Sequence, residues 1–283
     1  MKMNKNELLI TSMFEDLPYR KRLGIEEPFG VEIEMGLINP KDESYIYNDE
    51  LKKLSYYTQD DNSIEYYKPL EIVSPILLEK NNIWPILYRL SERMKECGLE
   101  FDTSAFQVNF DINYSDDELD HMLLFFQTYE HIIFRFSKAF DDRLRNLKYA
   151  ASLRKFIYMK RNLNNLIKSK SYALAFKKRG NLEKGIVEFR TPNSCDDAWV
   201  WQNIINTFYH FKVAIKDLDL DYVDFRYHLR ERKPKSYITL DIDRAIEFAD
   251  IIFDKEIDKL YFMKQYIGND IVEAVEKEKV KSF

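Results

Sequence analysis

Hydrophobic and polar residues alternate with a period of two in four separate runs of this chain. FGVEIEMGLI (29–38) puts Val31, Ile33, Met35 and Leu37 on one face and Glu32 and Glu34 on the other. That is the pattern of a half-buried strand. SIEYYKPLEIVSPIL (63–77) reads as a strand, a break near Pro69 and a second strand, with Glu71 between Leu70 and Ile72. SAFQVNFDI (104–112) sends Phe106, Val108, Phe110 and Ile112 inward and Gln107, Asn109 and Asp111 outward. GIVEFRTPN (185–193) sets Val187 and Phe189 against Ile186, Glu188 and Arg190.

Between these runs the period lengthens to that of a helix. Ile83, Leu87, Leu90 and Met94 mark a helix over 82–97 that stops at Gly98. Ser115 with Glu118 forms a capping box opening a long helix over about 116–141. The stretch 135–179 reads as mostly helical with breaks. Ser194 with Asp197 caps a helix bearing Trp199, Ile204, Ile205, Phe208 and Phe211, and 239–283 reads as two charged amphipathic helices.

Strands that alternate faces are covered on one side only, whereas buried parallel strands are apolar throughout. The expected fold is therefore α+β: an antiparallel or mixed sheet with helices on one face and a concave polar surface on the other. Three segments are expected: a polar lead-in (1–28), a main domain (29–238), and a C-terminal helical extension packed on it (239–283).

Composition narrows the chemistry. With 283 residues, 45% of them hydrophobic, the chain can bury a core without staples. Two cysteines, Cys97 and Cys195, make neither a disulfide framework nor a zinc spacing. No leader-like apolar segment opens the chain, and no window approaches the roughly 20 apolar residues of a membrane span. A cytoplasmic protein with no membrane partner is the expectation. Seven glycines include no GxxxxGK[ST] and no GxGxxG, so any nucleotide would be held by metal-bound carboxylates and basic side chains. Net charge is −5, but residues 135–179 hold 14 Lys or Arg against two Asp. A block of that sign attracts anions, phosphates first.

The polar faces supply the donors. Glu32 and Glu34 stand about 6.7 Å apart along one side of a strand. If the four strands share a sheet, Glu71 and Glu188 join them. Carboxylates this close raise one another's pKa unless cations neutralise them. Oxygen donors of this kind suit Mg²⁺ or Mn²⁺. Arg190 is the fork that grips a phosphoryl group. The same acids with the basic block would also suit a metal-dependent nuclease, although no lysine follows a strand acid by two residues; nucleic acid is disfavoured as a partner.

FGVEIE, DDNSIEYYKPLEIVSP, the 106–109 strand and GIVEFRTPN together resemble the amidoligase family, carboxylate–amine ligases with a glutamine-synthetase-like catalytic domain. The resemblance spans about residues 29–205 and implies ATP- and Mg²⁺-dependent formation of an amide or isopeptide bond through an acyl-phosphate. Its substrates would be a carboxylate and an amine on an amino acid, peptide or protein. It implies metal binding by Glu32, Glu34, Glu71 and Glu188, phosphate stabilisation by Arg190, and amine positioning by Asp61, in a turn where Asn62 replaces the usual glycine. The family carries His-x-His where this chain has Gln107-Val108-Asn109. Amides offer carbonyl oxygen or N–H but move no protons, so a binding or scaffold protein on the same fold is the alternative. Lys148, Arg154 and Lys160 are candidate phosphate contacts by position, beside Gln107 and Asn109. None of the histidines (His121, His131, His210, His228) lies on a candidate site strand.

Overall fold

The computed structural model describes residues 3–60, 68–101, 104–138, 150–153, 171–178, 185–218 and 240–281. A single sheet organises them. Its strands are β1 (Phe29–Leu37), β2 (Tyr57–Gln59), β3 (Pro69–Val73), β4 (Leu99–Glu100), β5 (Phe106–Ile112), β6 (Leu174–Lys178) and β7 (Gly185–Phe189). They lie in the order β2-β3-β1-β5-β7-β6, with β4 pairing the end of β1. Every strand pairing within this sheet is antiparallel. The expected α+β architecture, an open antiparallel sheet covered by helices on one side, is what the chain adopts.

The apolar rows of the alternating strands turn to one side and are fully covered there. Phe29, Val31, Ile33, Ile72, Phe106, Val108, Phe110, Val187 and Phe189 are all buried. The helix α6 (Ala198–Ala214) lies across them. Phe208 stacks on Phe189 with ring centroids 4.2 Å apart, and Trp201 stacks on Phe106 at 5.8 Å. Phe→Ala at such a position costs about 3–5 kcal/mol. Behind α6, a second layer joins α5 (Asp116–Phe136), α7 (Ile242–Ile252) and α8 (Glu256–Lys281). Phe125 bridges Phe211 and Phe248, and Phe136 stacks on Phe262 at 4.8 Å.

The lead-in is stitched to this body. Its helix α1 (Lys5–Phe14) packs on α8. Glu79, in a short 3-10 turn, accepts the backbone N–H of Leu23, Gly24 and Ile25 and the indole N–H of Trp84. Gly24 has φ +90°, a backbone state that favours glycine. Two short helices, α2 (Asp42–Ile46) and α3 (Asp49–Lys53), follow β1, and α4 (Trp84–Lys95) packs Trp84 on Phe29.

Three local expectations are corrected. The Ser194–Asp197 box does not form; Asp197 itself is the N-cap of α6, accepting from Trp199 N at 2.8 Å. The long helix ends at Phe136 rather than near 141, where Ser137 caps it. Within the basic block, Leu174–Lys178 is not helical but the edge strand β6. The Ser115–Glu118 box is formed as expected. Among the described residues, no helix is long and apolar enough to cross a membrane.

Candidate active site

Antiparallel register decides which polar side chains meet. Glu34 of β1 stands opposite Glu71 of β3, and Gln59 of β2 stands opposite Glu71 from the other side. Glu32 stands opposite Gln107, and Gly30 opposite Asn109. Asn109 in turn faces Glu188 across to β7. Partners in an antiparallel pair project to the same side. All these residues therefore share the sheet face turned away from the helices. The common polar face read from the alternation exists.

The acids on it form two groups in contrasting surroundings. Glu32, Glu34 and Glu71 cluster on β1 and β3. Glu71 is buried, and its carboxyl is pushed up to about 8, by burial first and then by the charges of Glu32 and Glu34; the Gln59 side-chain amide, which donates to it, works the other way. Glu34 is buried too. It accepts from Ala105 N at 2.7 Å and from Gln107 Nε2 at 2.6 Å. Glu32 accepts from Asn109 Nδ2 at 2.8 Å.

Glu188, two strands away, is wholly buried, yet its carboxyl is held below the usual range. Burial pushes it up, but Arg190 and Lys177 outweigh burial. Arg190 Nη1 pairs with Oε1, and Lys177 Nζ lies 2.7 Å from Oε2. The same Arg190 Nη1 donates to Gln107 Oε1 at 2.9 Å. Gln107 thus links the two groups, its N–H on Glu34 and its oxygen on Arg190.

The four glutamates consequently do not surround one point. Among the described residues, no three His, Cys, Asp or Glu are already gathered as a metal site. Glu188 spends its charge on Arg190 and Lys177. Glu32, Glu34 and Glu71 carry oxygens of the kind a hard divalent ion takes, but they are not drawn together around one point. Gln107 and Asn109, expected to touch nucleotide or phosphate, instead direct their amide nitrogens at carboxylates. Asp61, Lys148, Arg154 and Lys160 lie outside the described residues, as does His228. His121 and His131 sit on α5 and His210 on α6, away from this face.

Three participants escape a reading by motif. Gln59 sits on the three-residue strand β2, too short to show a period. The backbone N–H of Ala105 carries no side-chain signal. Lys177 lies in LAFKK, where its alternation with Phe176 was hidden by the run of basic residues around it.

No protein-family model matches the chain, and no curated protein matches it. Among solved structures, the complex between the prokaryotic ubiquitin-like protein Pup and its ligase PafA is similar at 7% identity and a TM-score of 0.40. That match covers 91% of this chain but only 65% of the other. The 3-hydroxy-3-methylglutaryl-coenzyme A reductase of Streptococcus pneumoniae follows at 10% identity and a TM-score of 0.17, covering 87% of this chain and 71% of that one. Scores of this size do not establish a shared fold.

Proposed function

We propose that this chain is an ATP- and Mg²⁺-dependent carboxylate–amine ligase, forming an amide or isopeptide bond through an acyl-phosphate. The supporting observation is the polarity of the sheet face. Three neighbouring carboxylates (Glu32, Glu34, Glu71) are joined through Gln107 to a cationic end (Arg190, Lys177). One end suits a metal ion and the other a transferred phosphoryl group.

Mg²⁺ or Mn²⁺ held by Glu32, Glu34 and Glu71 would neutralise the triphosphate's charge. Glu71 would hold such an ion only in its ionised form, so its raised proton would have to leave for it to serve as a ligand. Arg190 directs guanidinium N–H groups at the phosphoryl oxygens while the substrate carboxylate attacks the γ-phosphorus and ADP leaves. Glu188 holds that guanidinium in place and balances its charge. The amine then attacks the acyl carbon; the C–O bond to phosphate breaks, phosphate leaves with the electron pair, and the amine's proton passes to water. Asp61 is proposed to position the amine, and Lys148, Arg154 and Lys160 to meet phosphate.

A second reading has a specific observation behind it. Gln107 and Asn109 replace the histidines of the resembled family, so the same face would serve a binding or scaffold protein without turnover. Hydroxylamine separates the two readings, since it traps an acyl-phosphate as a hydroxamate. The chain is incubated with Mg²⁺, ATP, hydroxylamine and pooled amino acids and peptides. Hydroxamate with matching ADP supports the ligase. A thermal shift with Mg²⁺-ATP but no ADP from any carboxylate supports the binding protein. Neither signal removes both, and Mg²⁺-dependent cleavage of DNA or RNA without ATP would install a nuclease instead.

A further inference from the structure

Residues 15–28, between α1 and β1, form neither helix nor strand. Their backbone is held instead by side chains of α6 and α8. The Trp199 indole N–H donates to Leu17 O at 2.8 Å, and the Tyr261 hydroxyl donates to Pro18 O. Gln202 grips Arg20 in both senses: its amide N–H donates to Arg20 O at 2.7 Å, and its Oε1 accepts from Arg20 N at 2.8 Å. One side chain thereby replaces a strand partner. The Arg20 guanidinium lies 4.2 Å above the Tyr261 ring and pairs with buried Asp258, and Leu23 and Ile25 are buried beyond it. Main-chain hydrogen bonds with pockets for side chains are how a groove holds an extended peptide. The groove on α6 and α8 holds one, and that peptide is the chain's own lead-in.

Two features make this occupant exchangeable. The first is the link. The anchors end at Ile25, whose N–H Glu79 accepts, and β1 begins at Phe29. Three residues join them: Glu26, which is exposed, Glu27, which pairs with Lys212, and Pro28. Among the described residues the lead-in adds no strand to the sheet, and its helix α1 packs on α8 as the strap does. The body of a second copy therefore offers it the same groove. The second feature is the latch. Arg20 Nη1 and Asn206 Nδ2 both donate to Asp258 Oδ1. Asp258 Oδ2, Arg20 Nε and Arg20 Nη2 are buried with no hydrogen-bond partner among the described residues. Such atoms are hydrated once the strap lifts, which lowers the cost of opening.

We infer that this groove takes the lead-in of a second copy, giving a reciprocal dimer in which each chain's lead-in lies on the other's body. The exchange keeps every anchor and changes the course of residues 26–28 alone, so it costs little. A short link gives the chain's own lead-in an effective concentration of about 1 mM. The closed monomer prevails well below that concentration and the exchanged dimer near it. None of this depends on the ligase reading.

The test mixes unlabelled and ¹⁵N-labelled full chain in denaturant in equal parts and refolds the mixture at about 1 mM or about 1 μM. Native mass spectrometry is expected to show mainly dimer in the first case and monomer in the second. Amines in the dimer fraction are then cross-linked. Links from Lys5 or Lys21 in the lead-in to Lys255 or Lys264 in the body are expected to join unlike labels in about half of all cases, as reciprocal exchange requires. Such links confined to like labels mean that two closed chains touch by their surfaces, which overturns the inference, as does monomer at both concentrations. Arg20→Met loosens the latch equally in the closed and exchanged forms. It is expected to speed dimer dissociation about tenfold and leave the equilibrium ratio of dimer to monomer unchanged. Deleting Glu26 and Glu27 shortens the link and is expected to make dimer prevail even at about 1 μM. Should that variant fail to fold, the label mixing decides alone. A deletion variant that folds as a monomer overturns the inference.

Discussion

Glu71 and Glu188 are both buried carboxylates on the same face of the same sheet, and they are pushed in opposite directions. Glu71 rises to about 8 because burial is reinforced by Glu32 and Glu34. Glu188 falls below the ordinary range because Arg190 and Lys177 outweigh burial. The difference shows that depth alone does not set the state of an acid; its nearest charges do. One end of the face is satisfied as it stands. At the other, burial and neighbouring carboxylates set the state of Glu71.

The comparison breaks most severely at Arg190. Arg190→Met leaves Glu188 buried with only the partly exposed Lys177, and is expected to cost about 3 kcal/mol in chemical denaturation. Acyl-phosphate formation, read as hydroxamate, should fall about 10²–10³-fold. Unchanged hydroxamate yield would remove Arg190 from the chemistry.

Glu71 offers the next largest effect, and its sign can be worked out. Between about 4.5 and 8 the folded chain holds a proton on Glu71 that the unfolded chain has released. Rising pH therefore removes stability across that window, and the loss is complete above about 8. Melting temperature without divalent ions should fall from pH 5 to pH 9, and Mg²⁺ should restore it at the upper end. Glu71→Gln should flatten the pH dependence and remove the Mg²⁺ response together. A Mg²⁺ shift retained in that variant would place the ion elsewhere.

Smaller effects sharpen the boundary between the two ends. Gln107→Leu cuts the link between Glu34 and Arg190, each a hydrogen bond to a charged group, and should cost about 2 kcal/mol. Lys177→Met should cost less than about 1 kcal/mol, since that lysine is half-exposed, while the Glu188 carboxyl moves back up in an NMR titration. A larger loss from Lys177 than from Gln107 would invert the ordering drawn here.

Much of this face could be read from alternation. Val31, Ile33 and Met35 against Glu32 and Glu34, and Val108 and Phe110 against Gln107 and Asn109, specify which side chains look away from the core. Period two says nothing of neighbours, however. That Glu34 meets Glu71 while Glu188 meets Asn109 is a matter of strand order and register, set by long-range pairing. The four glutamates therefore looked equivalent in sequence and are not. The lysine pairing Glu188 was obscured because a run of basic residues reads as solvated helix, whereas Phe176 between Ala175 and Lys177 forms an edge strand.

Gln107 carries one more implication. A side-chain amide has a donating end and an accepting end and no titration between pH 5 and 8. Seated with its nitrogen on Glu34 and its oxygen on Arg190, it works as a one-way coupling whose polarity protonation cannot reverse. An imidazole in that seat would have to choose a charge state and would rewire the joint as it titrated. The hydrogen-bonded joint between Glu34 and Arg190 therefore keeps one direction whatever the pH of the surroundings.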